Sequence, residues 1–81
     1  MAEYQTAFHR RHEFESADGR RWHTYRSACM AILNPEYRDV RHFVDLQSGV
    51  IYTSEDAISF ILQPRAGVRY TLTQAQEKLF D

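Results

Sequence analysis

The sequence predicts an α+β fold: one small domain spanning 1–81, with a mainly antiparallel sheet covered by short helices, in the order ββαββαβα. Three observations carry this. Two glycine-bearing turn segments, Ser16-Ala17-Asp18-Gly19 and Leu46-Gln47-Ser48-Gly49, each separate strand-like stretches and so close hairpins. Thr53 and Thr73 are each followed three residues later by an acid or amide, the pattern of a helix start. The chain has 81 residues, 43% of them hydrophobic, enough for one core and too few for two.

The elements follow in order. Between Tyr4 and Phe14, the residues Tyr4, Thr6, Phe8 and Phe14 alternate with Glu3, Gln5, His9, Arg11 and Glu13, a period of two that makes a strand with the even positions inward. The turn at Ala17–Gly19 sends the chain back along Arg20–Tyr25. Its register pairs Glu15 with Arg21, Phe14 with Trp22, Glu13 with His23 and His12 with Thr24. Opposite charges then share one face and the aromatic pair shares the other. Slipping by one residue would set Trp22 among the charges. Ser27 caps a short buried helix over Ala28–Leu33, which Asn34-Pro35 ends. The second turn joins Val40–Leu46 to Val50–Thr53; by the same register rule it sets Val44 opposite Tyr52. Thr53-Ser54-Glu55-Asp56 opens a helix running to about Gln63, with Ile58, Ile61 and Leu62 on its inner face. After the break at Pro64–Gly67, Val68, Tyr70 and Leu72 alternate as a fifth strand. Thr73 with Gln76 then starts a last helix carrying Ala75, Leu79 and Phe80.

Several chemistries lack their residues. Gly19, Gly49 and Gly67 are isolated, so no glycine-rich phosphate cradle is expected, and no cofactor. His9 and His12 are the most suggestive metal spacing, but positions three apart on a strand face opposite ways, so no metal site is expected. Cys29 lies inside the apolar run Ala28–Leu33 and reads as a buried structural thiol rather than a nucleophile. The carboxylate pairs Glu13/Glu15 and Glu55/Asp56 are explained by cross-strand and capping roles. The chain is therefore expected not to be an enzyme. A lone cysteine fits a reducing cytoplasm, no apolar run is long enough to span a bilayer, and the first eleven residues lack a signal-peptide pattern. Nine arginines against the single Lys78 point to GC-rich coding, as in a bacterium or its phage.

With ten basic and eleven acidic side chains there is no global field to attract nucleic acid or an anionic membrane, so any such site is local. The outstanding local feature is 9–26, where five arginines and three histidines are interleaved with Phe14, Trp22 and Tyr25. Arginine and large aromatics are favoured at protein interfaces. The expected function is a small interaction protein, a regulator, adaptor or phage-type inhibitor. Arg10, Arg11, Arg20 and Arg26 would then be left unpaired to recognise an acidic protein surface. The alternative is nucleic-acid binding through the same hairpin, since guanidinium pairs with phosphate and rings stack on bases. Edge protection of a sheet is a third use for the same charges.

Overall fold

The computed structural model describes residues 12–81. The part of the first strand before His12 lies outside the described residues, as do Arg10 and Arg11. Within them the chain forms β1 (Phe14–Ser16), β2 (Arg21–Trp22), α1 (Tyr25–Leu33), β3 (His42–Asp45), β4 (Ile51–Thr53), α2 (Ser54–Leu62) and α3 (Leu72–Phe80). The strands make one antiparallel sheet in the order β2-β1-β3-β4. This is the small α+β domain that the sequence predicts.

The first hairpin has the predicted register, with Phe14 opposite Trp22 and Glu15 opposite Arg21. Ser16 N–H donates to the Arg20 carbonyl, and Gly19 takes φ +89°, the left-handed conformation that glycine adopts without a Cβ penalty. Arg21 reaches Glu13 at 2.8 Å and lies 4.0 Å from Glu15 on the outer face. The second hairpin is slipped by one residue from expectation: Tyr52 faces Phe43, and Val44 faces Ile51. The cause is Asp45. Its carboxylate accepts the backbone N–H of Gln47 at 2.9 Å and lies 3.4 Å from that of Ser48. The loop therefore begins one residue earlier than at the first turn, and Asp45 pairs with Val50 across it.

Helix starts differ in detail. Thr24, not Ser27, caps α1: its Oγ1 accepts the Ser27 N–H at 3.0 Å, and Tyr25 becomes helical and turns inward. Thr53 and Asp56 form the predicted reciprocal capping box of α2, which ends at Gln63 in the left-handed region. The expected fifth strand is absent. Among the described residues Val68 and Tyr70 pair with no strand, and Thr71 with Gln74 caps α3 two residues before the Thr73 and Gln76 pattern. The earlier cap places Leu72, Ala75 and Leu79 on one stripe against the core. It also lets the Gln76 amide donate to the carbonyl of Leu33, one of the orphan acceptors at the end of α1.

The core lies between the helices and one sheet face. Phe43 and Ile32 are wholly buried, with Phe14, Leu33, Ala57 and Ile58 around them. Phe43 meets Phe14, Tyr25 and Tyr52 with ring centroids 5.7, 5.6 and 5.3 Å apart. Cys29 is fully buried in this core, and burial pushes its thiol up to about 11, opposed in part by the neighbouring Tyr25 hydroxyl. The other sheet face carries Arg21, Glu15, Val44 and Ile51 across the four strands.

Candidate functional site

Trp22 ends β2, and α1 begins three residues later, so the hairpin delivers its indole beside the outward side of that helix. There an open groove of about 500 Å³ is lined by Trp22, Arg26, Ser27, Met30, Tyr37 and Phe80. Three separate stretches build it: the hairpin with α1, the turn after α1, and the end of α3. Trp22 is half-buried and packs on the core, as the register requires. Its indole N–H is buried and has no hydrogen-bond partner among the described residues. Buried tryptophan N–H groups usually have an acceptor.

The arginines sit at the margins of this groove. The Arg20 guanidinium lies 4.4 Å above the ring of Tyr37, which is itself a wall residue. Arg26 lines the groove directly and also lies 5.6 Å from the ring of Phe60 on α2. Contact with an aromatic face orients each guanidinium while leaving its donor edge available. Arg20 corrects the expectation that it is unpaired, because its Nε is 3.1 Å from Asp18. Asp18 also accepts a hydrogen bond from Ser16, which together with Arg20 holds its carboxyl below the usual range. Arg20 still has half of its side chain exposed. Of the arginines that the sequence singles out, Arg26 lines this groove and Arg20 lies over its Tyr37 wall; Met30, Tyr37 and Phe80 carry no sequence signal for it. Only tertiary packing brings these three together.

The described histidines His12, His23 and His42 are dispersed. His12 Nε2 is 2.7 Å from Asp45, and its ring stacks on Phe14 at 4.8 Å, while His23 is exposed. The His12 hydrogen bond holds the Asp45 carboxyl below its ordinary range against the opposing effect of burial, with help from the Gln47 and Ser48 amides. Among the described residues no three His, Cys, Asp or Glu side chains converge as metal ligands, and no helix is long and apolar enough to cross a membrane. A second cleft of about 370 Å³ lies between α2 and 64–70, with Glu55, Asp56, Arg69 and Tyr70 in its walls. Asp56 there is committed to the α2 capping box. The chain matches no family model, no curated protein and no solved structure.

Proposed function

We propose that this chain is a small non-enzymatic interaction protein, a regulator or inhibitor of bacterial or phage type working in the reducing cytoplasm, that binds a protein partner with an acidic surface. The supporting observation is the groove itself. Its apolar and aromatic floor, Trp22, Met30 and Phe80, is flanked by Arg26 within its wall and by Arg20 over Tyr37. Apolar anchors surrounded by arginine donors are the residue types that dominate protein interfaces. Carboxylates on the partner would meet the two guanidinium forks, and an apolar side chain would occupy the floor.

The same geometry favours a protein over single-stranded nucleic acid. A stacking platform needs exposed rings, yet Phe14 is buried, and Arg21 is already held by Glu13. The test begins with capture of partners on the tagged chain and identification by mass. The isotope-labelled chain is then titrated with the captured protein, and in parallel with a labelled oligonucleotide over a salt series. The proposal expects the indole resonance of Trp22, the single tryptophan, to shift with the protein, together with Arg26 and Met30. Shifts confined to other surfaces would overturn it. Oligonucleotide binding that weakens steeply with salt would favour the nucleic-acid reading instead.

A further inference from the structure

The two edges of the sheet are built differently. At the β2 edge Arg21 is ion-paired to Glu13, and such charge discourages pairing with another strand. The β4 edge, Ile51–Thr53, carries no charge among its three residues. Ile51 is 62% exposed, and Val50 and Leu46 beside it are exposed as well.

Backbone alternation sets which groups this edge turns outward. Asp45 N–H donates to the Val50 carbonyl at 2.9 Å, while the Asp45 carbonyl accepts from Gly49 N–H at 2.7 Å, which makes Asp45 and Val50 the pair whose bond closes the ladder at the turn. In an antiparallel ladder hydrogen-bonded pairs alternate, so Phe43 and Tyr52 form the next one, and Ile51 between them directs its N–H and C=O away from β3. Thr53 fits the same alternation: its N–H turns away from β3 and donates to Asp56 at 2.8 Å. Ile51 is thus the one position of β4 that offers both a backbone donor and a backbone acceptor outward, at the end of the sheet among the described residues.

We infer that two copies of this chain associate by pairing β4 with β4 in antiparallel fashion about Ile51. A two-fold axis at Ile51 lets the N–H of each copy donate to the C=O of the other. On the outer face the two Ile51 side chains meet, with each Val44 behind its own Ile51. On the opposite face, Val50 of each copy comes opposite Tyr52 of the other. The register is self-complementary, which is what an isologous pair requires, and another strand would have to reproduce both apolar rows. The contact is small, with one reciprocal pair of backbone bonds and a few apolar side chains, so the dimer is concentration-dependent rather than obligate. This inference is independent of the groove.

Sedimentation equilibrium of the full chain from micromolar to millimolar concentration tests it. The weight-average mass is expected to rise from that of one chain toward that of two. Ile51→Lys, at an exposed position, should keep the far-UV spectrum and weaken association by at least about tenfold. Ile51→Pro removes an N–H that the monomer does not use and should act likewise; where it disturbs the hairpin, Ile51→Lys decides. Val68→Lys, an exposed apolar residue on a loop, should dimerise like the parent. A monomer across the whole range, an Ile51→Lys chain that dimerises normally, or equal loss in Val68→Lys would each overturn the inference.

Discussion

Phe43 is the residue on which the sheet and the helices meet, and replacing it with leucine separates the contribution of ring geometry from that of buried volume. Phe43 has no exposed surface and touches three rings, those of Phe14, Tyr25 and Tyr52. Aromatic pairs contribute roughly 0.5–1.5 kcal/mol each beyond their buried area. Loss of three, offset by the packing that leucine restores, gives an expected cost of roughly 1.5–3 kcal/mol for Phe43→Leu. Phe43→Ala removes the volume too and should cost roughly 3–5 kcal/mol. A domain of this size is stable by roughly 4–12 kcal/mol in all, so the alanine variant approaches the limit of folding. Urea unfolding and thermal melting read the series, with each kcal/mol lowering Tm by roughly 4–8 °C. Val68→Ala, on an unpaired loop, serves as the control and should change stability by less than about 0.5 kcal/mol. A leucine variant within about 0.5 kcal/mol of the parent, or one as unstable as the alanine variant, would refute the reasoning.

Three further outcomes are expected. Thr71→Ala should destabilise by about 1 kcal/mol because it removes the α3 cap, whereas Thr73→Ala should cost only a few tenths; equal costs in urea melts would contradict the cap position. The Asp45 carboxyl is held below its ordinary range in the folded chain, so its stabilising contribution is present above the unfolded value of about 4 and is lost as pH falls through the lower folded value. The stability advantage of the parent over Asp45→Asn should therefore shrink as pH falls through the carboxylate range; an advantage undiminished in strong acid would contradict the hydrogen bonds that the Asp45 carboxylate accepts. Cys29, buried and with its thiol pushed up to about 11, should react with a thiol reagent no faster than the chain unfolds. Immediate labelling under native conditions would show that the α1 packing is wrong.

The parts legible in the sequence are those that local chemistry determines. The first hairpin could be read because the turn glycine and the Glu15 and Arg21 pair both require the same register. The second has a similar glycine pattern, but the side chain of Asp45 enters the turn and moves the pairing by one residue, and hydrophobic alternation does not reveal such a contact. At α1 and α3 the sequence predicts caps at Ser27 and Thr73, whereas the structure uses Thr24 and Thr71. The earlier starts are the ones that pack Tyr25, Leu72 and Ala75 against the core. The alternation of Val68, Tyr70 and Leu72 resembles a strand, yet a strand needs a partner edge, and this segment finds none among the described residues. For the same reason Arg20 and Arg26 stood out by composition, whereas Tyr37 and Phe80 enter the groove only through packing of distant segments.

The claim that Arg20 and Arg26 guide an acidic protein into the groove is tested most directly by association kinetics of the captured partner with Arg20→Glu/Arg26→Glu across a salt series. The Asp18 ion pair and the contacts with Tyr37 and Phe60 all lie at the surface, so their loss should leave the fold intact, as an unchanged far-UV spectrum would verify. The account predicts an association rate reduced by about tenfold or more at low salt, with most of its salt dependence gone. A double variant that associates at the parental rate and with the parental salt dependence would contradict it.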